Sequence, residues 1–177
     1  MHRKAMSESE NTLTPSRPGV ESLENKKFKR PESVLVVVHT RARVLLLRRT
    51  DRPDYWQSVT GSMHWDEQAP VEAAVRELRE ETGLEVPPQR LRDWRLSRRY
   101  TIFPEWRHRY APGTVENTEH LFSLELPEES AINVNPAEHT EYAWVPFGEA
   151  AARAFSWTNR AAIEALAGGA ARAVSSA

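Results

Sequence analysis

Val34-Leu35-Val36-Val37-Val38 is an unbroken apolar run of strand-forming residues. Such a run has no polar face, so it specifies a strand covered on both sides. Val44 to Leu47 is a second stretch of this kind, and Thr40-Arg41-Ala42-Arg43 between them can turn the chain. The two read as a strand pair, Ser33–His39 and Val44–Leu47. Residues 48–61 read as a loop, with Pro53, Tyr55 and Trp56. A helix is expected over Pro70–Thr82, since Pro70 suits a first helical turn and Gly83 a left-handed stop. Further strands are expected at Arg95–Phe103, Thr118–Leu126 and Tyr142–Val145, and helices at Phe147–Ala154 and Trp157–Ala167. Strands and helices in that order give an α/β or α+β core with layers.

With 177 residues, the chain has room for one domain plus tails. Residues 1–28 are rich in Ser, Glu, Asn, Thr and Pro and read as a disordered extension. The domain is expected over 29–168, with a flexible tail at 169–177. Formal net charge is −1, which gives no global attraction to nucleic acid or an anionic membrane. There is no cysteine, so disulfides, thiolate metal sites and a cysteine nucleophile are excluded. No apolar run is long enough to span a membrane, and no secretory signal is evident. A cytoplasmic protein is expected, a monomer or homodimer, without nucleic-acid or membrane partners.

The chemistry concentrates in Arg76-Glu77-Leu78-Arg79-Glu80-Glu81-Thr82-Gly83-Leu84. At 100° per residue, Glu77, Glu80 and Glu81 share one helix face, beside an apolar stripe of Val71, Ala74, Val75 and Leu78. Glu80 has Arg76 at i−4. Glu77 and Glu81 have no cation at three or four positions and instead face each other at i, i+4, which destabilises a helix by about 0.2–0.5 kcal/mol. A bound cation relieves that conflict. Carboxylates without His or Cys suit a hard ion such as Mg²⁺ or Mn²⁺. A solvated charged face is the competing reading.

The residues around this helix resemble the box of the Nudix hydrolases: Gly, five residues, Glu, seven residues, then Arg-Glu-aliphatic-x-Glu-Glu-x-Gly-aliphatic. Gly61 and Glu67 fit the first spacing, and Arg76, Glu77, Leu78, Glu80, Glu81, Gly83 and Leu84 fit the last part. One departure is present: eight residues separate Glu67 from Arg76, which puts the role of Glu67 in question. Beyond the box, Asp54–Ser62, Arg107–Gly113, Asn117-Thr118-Glu119 and Ser156-Trp157-x-Asn159-Arg160 are similar to the bacterial dihydroneopterin triphosphate pyrophosphatases of that family.

The resemblance implies an α/β/α sandwich with a mixed sheet. It implies Mg²⁺-dependent removal of pyrophosphate from 7,8-dihydroneopterin triphosphate, a folate precursor, or from a nucleotide such as dATP. It also implies Glu77, Glu81 and Glu119 as metal ligands, with Glu80 as a further ligand or water-orienting catalytic group. Lys29 and Arg48 are then expected at the substrate phosphates or pterin. Thr60, Tyr100, Thr101, Ile102, Phe103 and Ser156 are expected to line the substrate pocket, with Trp106 and Trp157 as further aromatic candidates. His64, His108 and His120 are not needed as ligands. A non-catalytic Nudix module would be expected to lack the box glutamates, all of which are present here.

Overall fold

The computed structural model describes residues 27–175, with side chains to residue 168. Of the extension expected to be disordered over 1–28, residues 1–26 lie outside the described residues, while Lys27 and Phe28 are described, with the Phe28 carbonyl accepting from Trp65 Nε1–H at 2.9 Å; the side chains of the tail expected over 169–177 lie outside as well. Seven strands form one mixed sheet: β1 (Glu32–His39), β2 (Arg43–Arg49), β3 (Trp56–Gln57), β4 (Val59–Ser62), β5 (Arg92–Thr101), β6 (Glu116–Glu125) and β7 (His139–Pro146). Helix α1 (Pro70–Thr82) covers one face; α2 (Phe147–Arg153) and α3 (Trp157–Ser175) cover the other. The domain is therefore the α/β/α sandwich with a mixed sheet that the sequence implies.

β1 is the spine. It runs parallel to β6 on one edge, and on the other it pairs antiparallel with β4 and, at His39, with β2. The alternation of β1 splits its apolar run between two cores. Val34, Val36 and Val38 pack with Ala73, Ala74 and Leu78 of α1. Leu35 and Val37 pack with Ala150, Ala151, Ala162, Ile163 and Leu166 of α2 and α3. The two-sided burial read from the sequence is what the sheet requires.

α1 starts and stops at the expected residues. Its N-cap, Ala69, offers no side-chain cap, Pro70 occupies the first turn, and Gly83 closes it at φ 73°. The stretch expected as a loop, 48–61, is more ordered than its composition suggests. Arg48 and Arg49 extend β2, and the aromatic segment after Pro53 forms β3 and β4. Two-residue β3 is too short for any alternation to mark it. β5 starts at Arg92 and ends at Thr101, so Ile102 and Phe103 follow it as loop before a 3₁₀ turn, Pro104–Arg109. α3 runs to Ser175, beyond the Ala167 expected. Among the described residues no helix is long and apolar enough to cross a membrane.

Candidate active site

The carboxylates of α1 meet the sheet at the ends of β1 and β4. Gly61 of β4 lies opposite Val34, on the face covered by α1. A Cβ there would sit 1.9 Å from Cδ and Oε1 of Glu77. Only glycine lets the carboxylate approach the strand. Gly61→Ala is expected to displace Glu77 by about an ångström and lower kcat roughly a hundredfold. Steady-state kinetics on a variant with unchanged circular dichroism checks this.

Arg76 ties the site together. Its guanidinium contacts Glu67 at 2.7 Å, Glu77 at 2.6 Å and Glu80 at 3.2 Å, and donates to the Ser62 carbonyl at 3.0 Å. Glu67 also accepts from the His64 backbone N–H at 2.6 Å. The extra residue before α1 is thus absorbed without separating Glu67 from Arg76. The pairing also differs from a count along the helix alone. Glu77 does have a cation, its immediate neighbour Arg76. The loop groups Ser62 and Glu67 draw that guanidinium across the start of the helix, a contact that i±3 and i±4 spacing does not include.

Glu81 is 1% exposed. Its Oε2 lies 3.4 Å from the Thr60 N–H and 3.3 Å from Nε2 of His139. Burial raises its pKa well above the ordinary carboxylate value, and the charges of Glu77 and Glu138 raise it further. Burial also raises Glu77, against the pull of Arg76. Ligand atoms of Glu81, Glu138 and His139 lie within 4.8 Å of one another. Among the described residues, neither ring nitrogen of buried His139 has a well-formed hydrogen bond. Burial lowers the pKa of this imidazole, favouring the neutral form. Buried carboxylates that raise one another's pKa fit a divalent cation, and an oxygen-rich donor set fits a hard one. Glu138 and His139 carried no signal in the sequence. They reach the site only because β7 pairs with β2, His139 opposite Arg49.

The remaining predicted residues divide into those in the cleft beside this cluster and those outside it. Lys29, Arg49, Thr60, Gly61, Tyr100, Arg109 and Glu119 line its cationic end. Desolvation lowers the pKa of Lys29, and nearby Arg109 lowers it further. The aromatic end, about 790 Å³, is lined by Tyr55, Tyr100, Thr101, Phe103, Trp106, Phe155, Ser156 and Trp157, and Arg49, Thr60 and Glu119 border both ends. Tyr55 stacks on Phe155 with centroids 3.4 Å apart, and Phe103 meets Trp106 edge-on at 5.3 Å. Tyr55 and Phe155 were not singled out by the sequence.

Two expected contacts are not brought to the cleft. Arg48 turns away, with Nε donating to the Pro53 carbonyl at 2.6 Å and its other end on Glu141 at 3.2 Å. Its neighbour Arg49 takes the cleft position. Ile102 is 2% exposed and packs inward, its N–H bonded to the Val115 carbonyl at 2.8 Å. Glu119 does line the cleft, but on the sheet face of α3 rather than that of α1. It follows the alternation of Leu121, which packs with α2 and α3. Glu80 lies on α1 with its side chain 41% exposed, sharing Arg76 with Glu77.

A mixed-sheet sandwich with an acidic helix set against a basic and aromatic cleft defines a hydrolase domain of the Nudix class. The chain belongs to the NUDIX domain family, whose model matches residues 29–166. It is 46% identical over 146 residues to the dihydroneopterin triphosphate diphosphatase of Escherichia coli (strain K12), covering 80% of this chain and 95% of that one. It is 39% identical over 142 residues to the protein of the same name from Haemophilus influenzae, covering 78% and 88%. The solved structure of the E. coli dihydroneopterin triphosphate pyrophosphohydrolase superposes with a TM-score of 0.71 at 46% identity, covering 78% of this chain and 96% of that one.

Proposed function

We propose that this chain hydrolyses 7,8-dihydroneopterin triphosphate to the monophosphate and pyrophosphate. The observation that carries the reading is the length of the match. Relatives bearing that name align over nearly their whole length, and the matched span includes both halves of the cleft. The chemistry of the two halves is consistent with it. Cations at one end suit a triphosphate, and aromatic walls at the other suit a flat heterocycle.

Glu77, Glu81 and Glu138 would hold a divalent ion, Mg²⁺ or Mn²⁺. When bound, such an ion neutralises phosphate charge and lowers the pKa of a coordinated water. Lys29, Arg49 and Arg109 face the phosphate chain. Arg76 fixes the rotamer of Glu77, and Glu80 orients the attacking water from the exposed side of the helix. The water oxygen adds to the α-phosphorus. The bond from that phosphorus to the α,β-bridging oxygen breaks, and pyrophosphate leaves from the end opposite the heterocycle. Thr60, Tyr100, Thr101, Phe103 and Ser156 surround the heterocycle.

The test is pyrophosphate release from dihydroneopterin triphosphate and, in parallel, from dATP, with Mg²⁺ and with EDTA. A higher kcat/KM for the pterin, abolished by EDTA, is the expected result. Equal or better use of dATP makes this a nucleoside triphosphate pyrophosphatase. No turnover of either overturns the assignment.

A further inference from the structure

Resting on that reading, we infer that Glu119 reads the edge of the heterocycle and so sets substrate choice, rather than serving as a metal ligand. The topology separates it from the metal cluster. Glu119 lies in β6 between Ser33 of β1 and Arg98 of β5. Its side chain shares a face with Leu121, under α3, whereas Glu77 and Glu81 come from α1 on the other face. The charges bearing most on Glu81 are those of Glu77, Glu138 and Arg49. The surroundings of Glu119 are different: burial raises its pKa, while the Thr158 hydroxyl and the Arg98 guanidinium favour the ionised carboxylate, with the Tyr100 ring beyond them.

A carboxylate only 8% exposed, set among Tyr100, Phe103, Trp106 and Trp157, does not suit a phosphate chain, which it would repel. What it can take is a pair of N–H donors. An ionised carboxylate offers two acceptor oxygens and binds a two-pronged donor best. The 2-amino-4-oxopyrimidine ring of a pterin presents such a pair, its ring N–H and the adjacent amino group. Adenine presents one amino donor beside a ring nitrogen that is an acceptor. Against a carboxylate, adenine makes one bond and leaves an acceptor facing an acceptor. A buried polar group left unpaired in this way costs about a tenfold to hundredfold in discrimination.

Glu119→Gln replaces one acceptor with a donor and so presents an edge that adenine matches and the pterin's pair of ring N–H and amino donors does not. The ratio of kcat/KM for dihydroneopterin triphosphate over dATP is expected to fall at least tenfold in this variant. Glu119→Asp, which keeps the carboxylate but draws it back from the ring edge, should lower the ratio too, by less than Glu119→Gln does. Mn²⁺ affinity, read by electron paramagnetic resonance without substrate, should match wild type in both. An equal loss on both substrates, or an unchanged ratio, overturns the inference. So does weakened Mn²⁺ binding in Glu119→Gln, which would make Glu119 a ligand. Failure of the wild-type protein to cut the pterin triphosphate overturns the underlying reading instead. If Glu119→Gln does not fold, the Asp variant decides: a ratio displaced toward dATP by the shortened carboxylate supports the inference, and an unmoved one overturns it.

Discussion

Glu81→Gln is expected to lower kcat by about a thousandfold or more while making the metal-free protein more stable. The activity loss follows from removing a ligand whose ion supplies several kcal/mol of transition-state stabilisation. The stability gain follows from the cost of a buried carboxylate. The pKa of Glu81 is raised well above the ordinary glutamate value by burial, then by Glu77 and Glu138. A carboxyl raised on folding contributes stability below its unfolded value, lost as pH rises through the folded one. The carboxyls held low, Glu32, Asp51 and Glu67, have the opposite sign, and their effect is complete once pH exceeds the unfolded value. His139, lowered by burial, adds stability as pH rises toward its unfolded value of 6.5, partly offsetting Glu81 in that range. The difference between wild type and Glu81→Gln isolates Glu81. In EDTA, the Tm advantage of the variant should grow from pH 5 to pH 8; in Mg²⁺ it should shrink or reverse. A constant Tm difference across pH would show that Glu81 does not titrate on folding.

Arg76→Met is expected to have the larger effect on folding. The guanidinium is 15% exposed and is shared by three carboxylates, of which Glu67 and Glu77 are 12% and 10% exposed. Removing the cation leaves those charges unpaired. Breaking a buried ion pair from one side costs about 3–5 kcal/mol, and the lower end applies here because the cluster opens on the cleft. For a domain of this size a loss near 3 kcal/mol lowers Tm by roughly 10 °C. Kinetics should show a fall in kcat beyond the stability effect, because Arg76 fixes the Glu77 carboxylate at 2.6 Å. Thermal melts and kinetics at a temperature where the variant is folded measure the two separately. Loss of both Tm and kcat is expected, and a Tm within 2 °C of wild type would show the cluster to be solvated rather than structural.

The parts of the molecule legible in the sequence are those where local pattern and packing demand coincide. The bounds of α1 follow from Pro70, the apolar stripe and Gly83, all within one segment. The two-sided burial of β1 follows from its unbroken apolar run. Where the fold brings distant segments together, the pattern is silent. Glu138 and His139 join Glu81 through the β2–β7 ladder, and nothing near them in sequence marks them. Arg49 is a different case. Leu45 and Leu47 face α1, so a period of two carried on from them places Arg49 on the side of the acidic helix. The expected strand stopped at Leu47, so this count was not carried on, and Arg48 was the contact the family resemblance implied. Glu119 was marked by the family resemblance and by its place in an otherwise alternating strand, while its burial and its face became clear only once Leu121 was seen against α2 and α3.

The parallel pairing of β1 with β6 carries a kinetic consequence. Ser33 and Asn117 bond across 84 positions of sequence, and every residue between must be accommodated before that ladder closes. Contacts so distant in the chain form slowly relative to helices and hairpins. Glu119 stands in that ladder, so the aromatic end of the cleft cannot exist in a chain that has folded only α1 and its neighbouring strands. During refolding, capacity to hold a pterin should therefore appear late, together with the last protected amides of β1 and β6.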